Sequence, residues 1–182
     1  MDGTDCPIAR PSQREDRDNF SSGRKKENQY SRYNIKYTLV VQVTNGRICG
    51  VLGPHPGSLN DVTALQHSGM LEYLKAHVPM EVVLADRGYQ GENGCLTPFK
   101  RGSGGLRPDE EAFNEVLASV RQLVECVLKR VKDFGVLGKE GRWRGSLERH
   151  AVCFNVVCNI VNISMTRDPV WLKTNWYLKH NA

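Results

Sequence analysis

From Pro108 to about Val131, apolar residues recur at helical spacing in the longest periodic segment of the chain. Phe113, Val116, Leu117, Val120, Val124, Val127, Leu128 and Val131 fall on one stripe, so this segment is expected to be an amphipathic helix. Such a stripe has to be buried against another layer, and the rest of the chain supplies it. A second amphipathic helix is expected from about Gly145 to Ile163.

The candidate strands come earlier. Lys36-Tyr-Thr-Leu-Val-Val-Gln-Val-Thr44 is rich in β-branched and aromatic residues, meets the hairpin signal Asn45-Gly46, and continues as Arg47-Ile-Cys-Gly-Val-Leu52. An antiparallel hairpin is the expectation. Gly53-Pro-His-Pro-Gly-Ser58 reads as a loop, after which Ser58 or Asn60 can cap a helix carrying Val62, Leu65 and Met70. Glu81-Val-Val-Leu-Ala85 is a continuous apolar run, the pattern of a strand buried on both faces, and it stops at Asp86-Arg-Gly-Tyr89. Residues 9 to 34 are polar and charged and read as a long loop. Strands first and helices later, with a helix between, give an α/β fold with a mixed sheet flanked by helices.

At 182 residues the chain can form one compact domain with a real core. No apolar run approaches the ~20 residues of a membrane helix, and Met1-Asp2-Gly3 does not open a signal peptide. The chain is therefore expected to be neither secreted nor in a membrane. Its six cysteines form no Cys-x-x-Cys pair, and reduced thiols are favoured over a zinc site.

Three acidic residues stand out by position. Asp86 ends the apolar strand, where open α/β sheets place their ligands. Asp2 opens Asp2-Gly-Thr-Asp5, an acidic turn before a Pro-rich loop. Glu125 borders the apolar stripe of the long helix, and at ~100° per residue Arg121, Glu125 and Lys132 lie within about 40° of one another. Converging carboxylates are suitable ligands for Mg2+ or Mn2+, which prefer hard oxygen donors. Each residue also has a simpler reading: Asp86 as a turn cap, Glu125 as a partner of Arg121 or Lys129.

The words around these residues narrow the choice. Asp2-Gly-Thr-Asp-Cys-Pro-Ile8, Pro54-His-Pro-Gly-Ser-Leu-Asn-Asp61, Leu84-Ala-Asp-Arg-Gly-Tyr-Gln90 and Arg121-x3-Glu125-x6-Lys132 occur in that order over residues 2 to about 134. This set resembles the DDE transposases of the Harbinger group, and bacterial insertion-sequence transposases share its later blocks. The resemblance implies a ribonuclease-H-like fold and a two-metal active site that cuts phosphodiester bonds in DNA. It places the catalytic triad on Asp2, Asp86 and Glu125, with Asp61 as a further metal ligand. It gives Arg121 and Lys132 phosphate contacts, and Lys100 in Thr97-Pro-Phe-Lys100 another.

The chain departs from the related bacterial signature at Ala118, where a tyrosine is usual. Because only Met1 precedes Asp2, the first strand and the DNA-binding helices of the family are expected to be missing. The catalytic domain is expected over 1–165 with a tail at 166–182, truncated at the N-terminus. An inactive remnant that binds DNA or a protein is the rival reading, and a ribonuclease on the same fold is a third.

Charge supports a nucleic-acid partner by its distribution, since the net total is only +5. Between Lys129 and Arg149 seven basic residues (Lys129, Arg130, Lys132, Lys139, Arg142, Arg144, Arg149) face three acidic ones. Lys129, Arg142 and Arg144 join the expected DNA contacts, and Trp143 is a candidate to stack on an unpaired base. Basic and aromatic residues interleave again at Arg24, Lys25, Lys26, Tyr30, Arg32, Tyr33 and Lys36. The expected partners are DNA, together with a second copy in a homodimer or a separate DNA-binding protein. The expected location is nuclear in a eukaryotic host and cytoplasmic otherwise.

Overall fold

The structure is a computed structural model and describes residues 1–21, 33–138 and 142–170. Arg24 to Arg32, Lys139, Glu140 and residues 171–182 of the tail lie outside the described residues.

The fold is mixed α/β. Strands β1 (Asp2–Pro7), β2 (Asn34–Val41) and β3 (Ile48–Pro56) form an antiparallel sheet in the order β1-β2-β3. Two short strands, β4 (Val83–Leu84) and β5 (Cys95–Leu96), pair in parallel. The main-chain nitrogen of Met1 donates to the Leu84 carbonyl at 2.7 Å, which brings the Asp2 end of β1 beside β4. Helices α1 (Arg14–Phe20), α2 (Asp61–His67), α3 (Met70–His77), α4 (Pro108–Lys132) and α5 (Leu147–Met165) complete the described fold.

Alternation along β2 generates two cores. Ile35, Tyr37, Leu39 and Val41 share one face of the strand and pack with Leu123, Val124, Val127, Leu128 and Val131 of α4 and Phe154, Val157, Cys158 and Val161 of α5. Val40 faces the other way, toward Leu65, Val83, Ala85 and Tyr89. Phe154 is fully buried with its ring stacked on Tyr37, centroids 3.9 Å apart. His150 caps that stack by a 2.8 Å hydrogen bond between its Nδ1 and the Tyr37 hydroxyl.

Burial holds the His150 imidazole neutral, with its pKa lowered to about 4. The unfolded chain protonates this ring near its ordinary value, so it binds more protons than the folded state below about pH 6.5. Stability should therefore fall by up to about 1.4 kcal/mol per pH unit between about pH 6.5 and 4. Urea denaturation across that range checks this, and His150→Asn should flatten the slope.

Several elements depart from the expectations set by the sequence. Residues 9 to 34 are not all loop, because Arg14–Phe20 is helical and Arg17 ties it down through the carbonyls of Pro11 and Ser12. The hairpin forms, but its turn is longer than two residues: Gln42 and Arg47 close it, and Gly46 takes φ 72°. The segment starting at Gly53 is not a loop, since β3 continues to Pro56 with Lys36 opposite His55 and Ile35 opposite Pro56. Gly53 permits this at φ 120°, where a Cβ would meet the Lys36 carbonyl at 2.8 Å.

Asn60 rather than Ser58 caps α2, accepting from Val62 N at 2.8 Å, and Gly69 at φ 64° breaks the expected single helix before Met70. The run 81–85 contributes only Val83–Leu84 as strand, and Val82 faces solvent. A strand begins at Asp2. Asp2–Pro7 is itself a strand, not an acidic turn, because Thr4 and Cys6 alternate into the core opposite Tyr37 and Ile35.

Helix α4 runs Pro108–Lys132, close to its expected bounds, with the stripe buried from Leu117 onward while Val116 is exposed. On the outer strand β3, Asn162 of α5 bonds both the N–H and the carbonyl of Ile48, at 2.8 and 2.9 Å. A side chain thus covers part of the sheet edge. Beyond α5, Asp168 binds Arg130 and Val170 enters the core, so the start of the tail is packed. Among the described residues, no helix is long and apolar enough to cross a membrane.

Candidate active site

Asp86 follows β4 and caps the short 3-10 turn Arg87–Tyr89, its Oδ1 accepting from Gly88 N at 2.8 Å. The turn is tight enough that a Cβ on residue 88 would lie 2.9 Å from that oxygen. Gly88→Ala should therefore push the Asp86 carboxylate out of place at little cost to the core. Comparing the Asp86 carboxyl carbon resonance with the melting temperature would check it: the first should shift while the second moves little.

Asp2 begins β1 next to β4, with its Oδ1 accepting from Gly3 N at 2.8 Å. Burial pushes its carboxyl above the usual range and the neighbouring Asp86 adds to the rise, while the Gly3 N–H and the Arg121 guanidinium pull it back. The Met1–Leu84 bond thus sets Asp2 and Asp86, far apart in sequence, at one end of the fold, and both Asp86 and Arg121 act electrostatically on Asp2. Tyr89 is buried among the same charges. Burial raises its hydroxyl pKa, and Asp61, Asp86 and Asp2 raise it further.

Glu125 stands one helical turn beyond Arg121, whose Nη2 lies 3.6 Å from Glu125 Oε1. Its side chain is 58% exposed, and it does not join Asp2 and Asp86 directly. Among the described residues, no group of three or more His, Cys, Asp or Glu is gathered closely enough to hold a metal ion. Asp61 has other work: its Oδ1 lies 2.9 Å from Lys36 Nζ, and its carboxylate lies against Gly3. Lys36 also donates to the Leu59 carbonyl.

The donor chemistry nonetheless suits a hard divalent cation. Burial disfavours the charge on the Asp2 carboxyl, and a divalent cation bound there would relieve it. Arg121 marks the same place, since its Nε is buried without an acceptor.

The expected DNA contacts fall in two places. Arg121 lies at the Asp2 end of β1, whereas Lys132 lies near Cys6 toward the other end. Arg142 and Arg144 are exposed on either side of Trp143, whose carbonyl accepts from Ala9 N at 2.9 Å just past β1. An extended strand of this length separates the two groups by roughly 16 Å. Lys129 is exposed on α4, while Arg130 bonds the Asp168 carboxylate and carbonyl.

Trp143 is not a free stacking platform, because its ring meets His150 edge-on at 5.2 Å and its Nε1 donates to the Ser146 carbonyl. Lys100 is exposed, and the segment before it is held to α4 by Asn114, whose side chain bonds both the N–H and the carbonyl of Phe99. Asn114 and Tyr89 escaped the sequence reading. Tyr89 was signalled by its place in the Asp86-Arg-Gly-Tyr block, whereas nothing local marks Asn114.

A sequence profile of the DDE superfamily endonucleases matches residues 1–162. The chain belongs to the DDE superfamily. Its curated relatives include the transposase of insertion sequence element IS702 from Microchaete diplosiphon, 31% identical over 173 residues, which are 91% of this chain and 56% of that protein. Another is the transposase of IS112 from Streptomyces albus G, 32% identical over 123 residues, or 66% of this chain and 46% of that protein. The DDE chain spans about half the length of the curated relatives it matches. No solved structure matches it.

Proposed function

We propose that this DDE-family chain is the nuclease core of a transposase, cutting DNA phosphodiester bonds with divalent metal held by Asp2, Asp86 and Glu125. The observation that carries the reading is the family match over residues 1–162, within which the Met1–Leu84 bond sets Asp2 and Asp86 at one end of the fold. When bound, two Mg2+ or Mn2+ ions activate an attacking water or 3′-hydroxyl and steady the leaving oxygen. The chain's own groups do the rest. The Gly3 and Gly88 N–H groups orient Asp2 and Asp86, and the buried Tyr89 ring closes off the sheet beneath them. Glu125 reaches the site by turning away from Arg121. Asp61 serves in the Lys36 pair, which is why we favour it least as a metal ligand.

On this reading the fold is of the ribonuclease-H type, supported by the Met1–Leu84 bond, which brings the start of β1 beside β4. Four sequence blocks support the Harbinger subtype, although the curated relatives named above are bacterial and lend a nuclear location no support. DNA is the proposed substrate, and exposed Lys100, Lys129, Lys132, Arg142 and Arg144 are proposed to follow its backbone. A homodimer or a separate DNA-binding protein would supply target choice.

The test is nicking of supercoiled plasmid in Mg2+ or Mn2+, alongside calorimetric metal titration. The absence of a gathered three-ligand group among the described residues favours a second reading, an inactive remnant that only binds DNA. Salt-sensitive DNA binding without nicking would establish the remnant, whereas nicking that disappears with Glu125→Gln would exclude it.

A further inference from the structure

We propose that Trp143 is a positioning residue that holds Arg142 and Arg144 as a two-pronged clamp for neighbouring phosphates of one DNA strand. That role rests on the DNA-binding reading above and not on the metal site, and it gives the indole a task other than base stacking. Trp143 joins the sheet through a parallel bridge to Ile8, and its carbonyl accepts from Ala9 N at 2.9 Å. Three contacts hold its ring. It meets the buried His150 edge-on with centroids 5.2 Å apart, its Nε1 donates to the Ser146 carbonyl at 3.0 Å, and a Cβ on Gly145 would lie 3.0 Å from it. His150 is itself bonded to the Tyr37 hydroxyl, so the indole is anchored through it to both β2 and α5.

Extended backbone sends alternate side chains to opposite faces. Trp143 and Gly145 share one face, where the ring lies over the glycine. Arg142 and Arg144 therefore belong to the other face, and both are exposed. Residues two apart on a strand are separated by roughly 7 Å. A DNA strand carries a phosphate for about every 3.4 Å of helix axis, so two forks at that separation reach neighbouring phosphates of one strand. The planar guanidinium matches phosphate oxygens in pairs, which suits a clamp better than a point charge does. Arg10, exposed one residue past Ala9, extends the same basic edge. With the indole fixed by the fold, the backbone between the two arginines is ordered before DNA arrives, and that ordering is not charged against binding.

The test is binding of the full chain to a mixed-sequence DNA duplex, without divalent metal, by fluorescence anisotropy over a series of salt concentrations. The slope of log affinity against log salt reports how many phosphates are neutralised. Arg142→Gln and Arg144→Gln should each lower that slope by about one, and together by about two. Trp143→Ala removes no charge, yet it should lower the slope by about one to two, because the prongs lose their common anchor. Trp143→Phe keeps a ring against His150 and should keep the parent slope. A purely structural role would change the melting temperature or the folded fraction and leave the slope of the folded protein as it was. A parent slope in Trp143→Ala would overturn the positioning role, and a parent slope in the double arginine variant would overturn the clamp.

If Trp143→Ala does not fold, the parent chain still decides the matter. On adding the duplex, the Nε–H resonances of Arg142 and Arg144 should shift together, while the Trp143 indole N–H, kept on Ser146, should stay in place. A Trp143 resonance that moves as a base stacks on the ring rejects the positioning role, and arginine resonances that stay put reject the clamp. The same titration separates this proposal from the reading beneath it. A parent chain that shows no salt-dependent DNA binding removes the DNA-binding reading itself. Salt-dependent binding that survives the loss of both arginines with its slope intact removes only the clamp.

Discussion

Replacing Asp86 with Asn should abolish metal uptake and DNA nicking while leaving the fold within about 1 kcal/mol of the parent. The separation is possible because Asp86 does two things with one side chain. Its Oδ1 accepts from Gly88 N, a bond the Asn carboxamide can also accept, and Asn caps as well as Asp. Its charge is what Asn cannot supply. A cation beside Asp2 would lose a ligand and half of the paired negative charge, and the loss in rate should exceed ~100-fold. Denaturant titration, calorimetric metal titration and plasmid nicking on the same preparation make the comparison. Persistent nicking in Asp86→Asn would remove the residue from the reaction.

Phe154→Ala should cost about 3–5 kcal/mol of folding stability, the range for deleting a buried ring. Phe154 is fully buried and stacks nearly parallel to Tyr37, so the cavity opens where β2 meets α5. Tyr37 is the strand partner of Thr4, and its hydroxyl binds His150, so a loosened stack reaches both β1 and the His150 contact. Val156→Ala on the exposed side of the same helix should change stability by less than about 0.5 kcal/mol. Equal effects from the two substitutions would mean that the Tyr37 stack does not anchor the helix layer.

Much of the architecture was readable locally. The α4 stripe predicted the helix and its buried face, because periodicity and burial are properties of neighbouring residues. The hairpin was legible for the same reason, as was Asp86 at a strand end, where it proved to be a turn cap as well. The misreadings share a cause. Gly53-Pro-His-Pro56 has the composition of a loop, and only pairing with Ile35 and Lys36 makes it strand. Trp143 looked like an open platform until α5 placed His150 against it. The Glu125–Arg121 pair was legible from helical spacing, whereas the Asp61–Lys36 pair needed α2 to pack beside β2.

The amino-acid sequence marked the candidate residues for chemistry and most of the regular segments, since both are written in short-range pattern. It could not say that Asp2, at the start of β1, lies beside Asp86. That meeting depends on β1 pairing with β2 and on Met1 bonding Leu84, contacts between residues up to 83 positions apart. Helical periodicity placed Arg121 and Glu125 on one strip, but only tertiary packing set α4 against β1. Local backbone preference fixes elements, whereas convergence of charges is set by which faces the two cores bury.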